Sequence, residues 1–246
     1  MSSNPVFCAI DTPDLVQASR LAAQIAAHVG GLKLGLEFFC ANGPEGVRQV
    51  ARASGKEIFL DLKLHDIPNT VASAVVAVMP LRPRYLTLHA AGGLPMLKAA
   101  REAAYEAADK VDAAPPKLIG VTVLTSFDQA DLARVGVPGA VLDQARRLAA
   151  LAAEAGLDGL VCSAHEAKHL KAEFGQLLRI VPGIRPPWAA AGDQKRVMTP
   201  AEALAEGADI LVIGRPICKA ADPADAAWRI AADLGCADAP YRSAPA

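Results

Sequence analysis

Residues 57–70 read EIFLDLKLHDIPNT, so an apolar run (Ile58, Phe59, Leu60) leads into Asp61, Lys63 and Asp66 and stops at Pro68. Leu62 and Leu64 alternate with Asp61 and Lys63. In a strand the acid and the ammonium therefore share one face, a pleat apart. A core does not tolerate such charges unpaired, so the cluster reads either as a structural ion pair or as a reactive site. Lys33, in GLKLGL (31–36), offers a second ammonium. With signs alternating along Lys33, Asp61, Lys63 and Asp66, each lysine can stay charged and each aspartate ionised. A charged lysine is a poor imine-forming nucleophile, because that step needs the neutral amine. It is a good proton donor and a good counter-charge for a developing carbanion. The pattern suits making and protonating a carbanion.

The elements that must position these residues follow from the patterning. Short apolar, β-branched runs lie near 6–11, 31–36, 57–63, 85–90, 117–124, 159–163, 178–184 and 209–214. Longer Ala/Leu stretches separate them; in 14–28, Leu15, Leu21, Ala22, Ile25 and Val29 recur at helical spacing. Thr12-Pro13, Thr199-Pro200 and Asp222-Pro223 each put a capping side chain before a proline at the first helical position. Thr199 with Glu202 also matches a capping box. Eight strand–helix units imply parallel strands with right-handed crossovers. An open doubly wound sheet is compatible with this; the eight-fold count in 246 residues favours an α/β fold of the closed (β/α)8 TIM-barrel type. No linker or composition shift divides the chain, so one domain over 1–246 is expected, with an irregular tail at 237–246 (ADAPYRSAPA).

In such barrels the reactive site gathers where strands end and loops begin. The polar residues at those points are Asp11, Lys33, Asp61, Lys63, Asp66, His89, Thr125-Ser126, Pro182-Gly183-Ile184-Arg185 and Gly214-Arg215. Structural ion pairs explain one or two of these, not the set. The last two exits have their own logic. Residues 183–196 (GIRPPWAAAGDQKR) form a long loop with Arg185 and Gln194, and IGRP (213–216) brings up Gly214 and Arg215. Loops after strands 7 and 8, with glycine and arginine, form the usual barrel site for a phosphate monoester. Glycine admits backbone N–H groups close to the phosphate, and arginine supplies a bidentate fork. A phosphorylated small molecule is the expected ligand.

Composition narrows the rest. With 25 basic and 26 acidic residues and no run of either sign, a general nucleic-acid binder or polybasic membrane anchor is not expected. No apolar run has the length of a membrane span, and MSSNPVFCAI lacks a basic n-region with an apolar segment. The five cysteines are scattered, without CxxC, and fit a reducing cytoplasm and buried small hydrophobes; Cys162 and Cys218 are expected in the core. His65 is expected to face away from Lys63, while His89 fits either the barrel mouth or a local pair. His165, Glu166 and His169 have partial metal-ligand spacing, but without HExxH a solvated helix face is expected, and no metal site is assigned. Trp188 reads as either a cover or a packing anchor.

Taken together, the motifs resemble a known family. DLKLHDIPNT (61–70) is similar to the DxKxxDI signature of the orotidine 5′-monophosphate (OMP) decarboxylases. AIDTPD (9–14), KLGLEFF (33–39), VTVLTS (121–126), PGIRP (182–186), GDQKR (192–196) and IGRPI (213–217) resemble that family too, in its order, from residue 6 to 217. The DxKxxD core alone is shared with sugar-phosphate decarboxylases and synthases; the full set is more specific. The resemblance implies a cofactor-free conversion of OMP to UMP and CO2 in pyrimidine synthesis. It implies Lys63 as proton donor to C6, Asp61 beside the departing carboxylate, and Lys33 and Asp66 completing the array. It further implies a homodimer in which Asp66 and Thr70 serve the neighbouring subunit's site. Asp11, Lys33 and Thr70 would face the ribose, and Thr125 and Ser126 the pyrimidine. Arg185, Gln194, Gly214 and Arg215 would hold the phosphate, beside Pro182 at the strand end, with 185–194 as a lid. Two rivals remain at this level: a magnesium-dependent enzyme acting on a linear sugar phosphate, disfavoured by lysine at position 33, and a silent nucleotide-binding barrel.

Overall fold

Phe7, Phe59, Tyr85, Ile119, Ile180 and Ile210 lie far apart in the chain yet meet in one buried cluster with Ala9 and Val212. In the computed structural model, which describes residues 4–189 and 198–237, each comes from a different strand facing the same interior. The strands are β1 (Val6–Ile10), β2 (Gly31–Gly35), β3 (Glu57–Leu64), β4 (Tyr85–His89), β5 (Lys117–Val121), β6 (Gly159–Val161), β7 (Leu178–Pro182) and β8 (Ile210–Ile213). Each pairs in parallel with the next, and β8 returns to β1 to close the barrel. Closure leaves no sheet edge unpaired. The eight-fold alternation thus resolves in favour of the barrel over the open sheet.

Inward and outward residues alternate along each strand, as a pleat requires. Inside, Phe7, Phe59 and Tyr85 pack edge-to-face, with ring centroids 5.4–6.4 Å apart. Their rings fill the barrel below the strand ends. Outside, Cys8, Ile10, Leu32, Leu34, Ile58, Leu60, Leu86 and Leu88 join the helices in a second, larger core. Alanines such as Ala18, Ala22, Ala100 and Ala152 are buried there and let helices approach the sheet closely.

Helix starts follow the expected chemistry at two of three sites. Before the helix Pro200–Ala205, Thr199 and Glu202 form the reciprocal capping box. Before Pro223–Asp233, the Asp222 carboxylate accepts from the backbone N–H groups of Ala224 and Asp225. Thr12 is a correction. The helix runs Leu15–Ile25, its cap is Asp14, and Asp14 Oδ1 accepts from Gln17 N at 2.9 Å. Thr12 instead accepts from Asp14 N and donates to the Gln17 side chain, one step outside the helix. Residues 26–28 continue as a 3-10 turn. Several strands end earlier than their apolar runs: β5 stops at Val121 and β7 at Pro182, because the chain leaves the ladder to form the mouth. Among the described residues no helix is long and apolar enough to cross a membrane.

The aromatic layer carries the strand ends above it. Truncation of Phe59 to alanine is expected to cost about 3–5 kcal/mol through lost burial and the cavity left behind. Urea denaturation monitored by circular dichroism measures it; a loss below ~1 kcal/mol would mean that the layer is not a rigid support.

Candidate active site

The pleat that turns Phe7, Phe59 and Tyr85 inward also turns inward the residues two positions on. Ala9, Asp61 and Thr87 follow them, and Lys33 follows Gly31 in the same way on β2. A layer of charge therefore stands on the layer of aromatic rings. Asp61 is 7% exposed and lies at its centre. Its Oδ2 meets Lys63 Nζ at 2.8 Å and Lys33 Nζ at 3.3 Å. Lys33 in turn reaches Asp11 Oδ1 at 3.4 Å. The side chains form one chain of alternating sign: Asp11, Lys33, Asp61, Lys63. Small residues leave room for it. A Cβ on Gly35 would lie 3.1 Å from Lys33 Nζ, and one on Gly214 would lie 3.2 Å from the Ala9 Cβ.

Lys63 does not reach Asp61 by simple alternation, as the strand reading had it. Leu60 pairs with Leu86 and Leu64 with Leu88, so β3 carries two residues more than β4 over that interval. The excess bulges, and Lys63 takes a left-handed backbone at φ 49°. Such a conformation is costly for a residue with a Cβ and persists only where surroundings hold it. Here the Thr87 hydroxyl holds it: Lys63 N donates to Thr87 Oγ1 at 2.8 Å, and Thr87 Oγ1 donates to Asp61 Oδ1 at 3.0 Å. Thr87 is fully buried. Sequence reasoning missed it, although counting two from the inward Tyr85 would have found it.

The electrostatics favour the ionised forms of Asp61 and Lys33. Burial is the largest influence on Asp61 and would raise its pKa; Lys33, Lys63 and the Lys63 and Thr87 hydrogen bonds outweigh it and hold the carboxyl below its ordinary value. Burial likewise works hardest on Lys33, downward, yet Asp61 and Asp11 prevail and its pKa is raised. His89 is pushed down by burial, then by His65 and Lys63.

The array lines a cavity of about 250 Å³ at the barrel mouth. Of the residues expected at the site, Asp11, Lys33, Asp61, Lys63, Thr125, Pro182, Arg185, Gly214 and Arg215 are on its wall. Val121, Val123, Leu124, Val161, Ile180 and Val212 add apolar walls that the polar filter did not select. Ser126 is exposed and not on the wall. Asp66 does not join the array of its own chain: it is exposed and accepts from Ile67 N, while Asp11 pairs with Lys33. Thr70 is likewise exposed, on the helix Pro68–Val78. Gln194, the 190–197 part of the loop and the tail from 238 lie outside the described residues.

The remaining residues sort plainly. His89 pairs locally, stacking on exposed His65 with ring centroids 5.2 Å apart, and neither is on the cavity wall. Trp188 packs under the Arg229 guanidinium at 4.4 Å. His165 and His169 are exposed, but Glu166 is buried and caps its helix with Ser163, so that face is not solvated throughout. Among the described residues no group of three or more His, Cys, Asp or Glu is arranged to hold a metal ion. Cys162 is buried as expected; Cys218 is only half-buried, in contact with Cys8.

Fold and site define a (β/α)8-barrel enzyme with an alternating lysine–aspartate array at its mouth. The chain belongs to the orotidine 5′-phosphate decarboxylase / HUMPS family, whose sequence profile matches residues 4–230. It is 60% identical over 235 residues to orotidine 5′-phosphate decarboxylase of Rhodospirillum rubrum, covering 95% of both chains. Identity to the Paramagnetospirillum magneticum enzyme of that name is 54%, covering 94% of this chain and 99% of the other. The crystal structure of orotidine 5′-phosphate decarboxylase from Lactobacillus acidophilus superimposes with a TM-score of 0.81 at 33% identity, covering 96% of this chain and all of that one.

These shifts fix a stability window. The depressed Asp61 contributes stability that is present above the unfolded carboxylate pKa, about 3.9, and lost as pH falls through its lower folded value. The raised Lys33 contributes stability present below about 10.4 and lost as pH rises through its higher folded value. Asp61→Asn is therefore expected to be less stable than the parent at neutral pH, with the gap narrowing as pH drops below ~4. Denaturant titrations at stepped pH measure this, and a gap constant with pH would contradict the assignment.

Proposed function

We propose that this chain is a carboxy-lyase that converts OMP to UMP and CO2, the decarboxylation that completes pyrimidine nucleotide synthesis. The observation that carries this is Lys63 Nζ held 2.8 Å from the buried Asp61 carboxylate, in one cavity with Arg185 and Arg215. The reaction breaks the bond between C6 and the carboxylate and leaves the electron pair on C6. The pyrimidine ring delocalises that pair poorly, so stabilisation must come from preorganised charge. Lys63 supplies the nearby ammonium, gives its proton to C6 as CO2 leaves, and regains one from solvent. Asp61 holds Lys63 and Lys33 in place and lies beside the departing carboxylate.

The rest of the cavity is assigned by the same reading. Arg185, Gly214 and Arg215, joined by Gln194, hold the phosphate; Asp11 and Lys33 face the ribose; Thr125 faces the pyrimidine, with Val123 and Leu124 as apolar wall. Binding at the remote phosphate supplies energy that positions C6 against Lys63. No cofactor takes part in this reading. The enzyme works as one barrel domain in the cytoplasm and as a homodimer. Asp66 and Thr70, exposed on their own chain, then complete the array and the ribose contacts of the neighbouring subunit.

Lys63→Ala is expected to abolish turnover of OMP while UMP binding stays measurable, and turnover by the parent is expected to be unaffected by EDTA. A spectrophotometric assay of the two proteins decides both; near-parent kcat in the variant would remove Lys63 from its role. Arg215→Ala is expected to lower kcat/KM for OMP strongly, and an unchanged value would refute the phosphate assignment. Mixing inactive Lys63→Ala with inactive Asp66→Asn tests the shared site. Subunit exchange is expected to restore about a quarter of parent activity, since half the dimers then carry one intact site. No restoration after verified exchange would place Asp66 outside the neighbour's site.

A further inference from the structure

We propose that Thr87 is a positioning residue for the decarboxylation, a single hydroxyl that sets the Asp61 carboxylate and the Lys63 backbone together. This rests on the reading of Lys63 and Asp61 given above. The geometry is closed at both ends. As donor, Thr87 Oγ1 has one hydrogen, and it goes to Asp61 Oδ1 at 3.0 Å. As acceptor it takes Lys63 N at 2.8 Å, from within the β3 bulge. The residue has no exposed surface, so water cannot replace either bond without reorganisation.

Each bond has a separate consequence. Asp61 Oδ2 serves both lysines, at 2.8 and 3.3 Å, and this division holds only while the carboxylate plane is fixed. The Thr87 bond to Oδ1 fixes that plane from the opposite oxygen. Without it the carboxylate is free to rotate toward either ammonium. The second bond holds Lys63 at φ 49°, a conformation its Cβ disfavours, and so sets where the Lys63 side chain leaves the wall. Losing both would displace the proton donor from the reacting carbon without touching the phosphate end of the cavity. A misplacement of an ångström is enough to cost a large factor in rate.

Thr87→Val keeps the shape and removes the hydroxyl; Thr87→Ser keeps the hydroxyl and removes the methyl. With OMP, Thr87→Val is expected to lower kcat about 10- to 100-fold, the scale of a lost hydrogen bond to a charged group, with KM within about threefold. Thr87→Ser is expected to stay within about threefold of the parent in kcat. A purely packing role predicts the reverse order, and that order, or equal activity of Thr87→Val and the parent, would overturn the proposal. Should Thr87→Val not fold, Thr87→Ala against Thr87→Ser makes the same comparison, since these differ by the oxygen alone.

A second readout does not depend on turnover. In protein labelled with carboxyl 13C-aspartate, the Asp61 resonance of Thr87→Val is expected to titrate at higher pH than in the parent, because the carboxylate has lost a donor. Lys33 and Lys63 face Asp61 from β2 and β3, Asp11 lies beyond Lys33, and His89 on β4 lies toward Lys63. All are common to both proteins, so the difference reports Thr87. An unchanged Asp61 titration would show that Thr87 does not hold the carboxylate. A parent that leaves OMP unconverted would instead refute the reading of the reaction, and the titration would still decide the positioning.

Discussion

One buried carboxylate between two ammonium groups is the constraint on which the rest of this structure depends. Asp61 would be pushed toward neutrality by burial alone, and each lysine beside it would be repelled by the other. Asp61 and Lys33 keep each other charged, but only in a fixed geometry, because partners that drift leave Asp61 a buried, unpaired charge. The fold therefore has to supply rigidity at the strand ends. Closing the sheet and filling its interior with Phe7, Phe59 and Tyr85 does this, since interior rings packed edge-to-face leave the residues above them little freedom.

The site departs from regular structure where the chemistry is proposed to occur. The bulge against β4 and the left-handed Lys63 aim an ammonium at the neighbouring carboxylate. Bulges commonly re-aim side chains beside active sites. The compensating bonds from Thr87 are internal and fully buried, so the irregularity is held by the adjacent strand rather than by solvent-exposed loops.

The division of labour around the mouth follows the barrel's topology. Strands β1 to β4 supply the charged array and its hydroxyl clip, while the exits of β7 and β8 supply Arg185, Gly214 and Arg215. The apolar side chains of β5 to β8, Val121, Val161, Ile180 and Val212, lie between. Charge and apolar wall are thus kept apart around one cavity in a member of the orotidine 5′-phosphate decarboxylase / HUMPS family.

Much of this was written in the sequence. The eight-fold recurrence of short apolar runs favoured the barrel, because each strand must bury one face inward and the other under a helix. Polar residues at strand ends marked most of the cavity wall, since a charge there has no reason to exist in a core. The sequence alone did not decide which charges meet. Asp66 and Asp11 look equivalent as strand-end acids, but only Asp11 reaches Lys33 within the chain, because β1 and β2 are adjacent and Asp66 has already turned into the loop. Thr12 before Pro13 read as the first helix start, and only the folded backbone, with Gln17 N donating to Asp14, makes Asp14 the cap. Counting two from Tyr85 puts Thr87 on the inner face, but its role depends on a bulge in another strand, a register shift that local pattern does not encode. The sequence by itself determined the inventory and the faces. Tertiary structure decided the partners, because hydrogen bonds and ion pairs act over about 3 Å and depend on registers that only closure of the barrel sets.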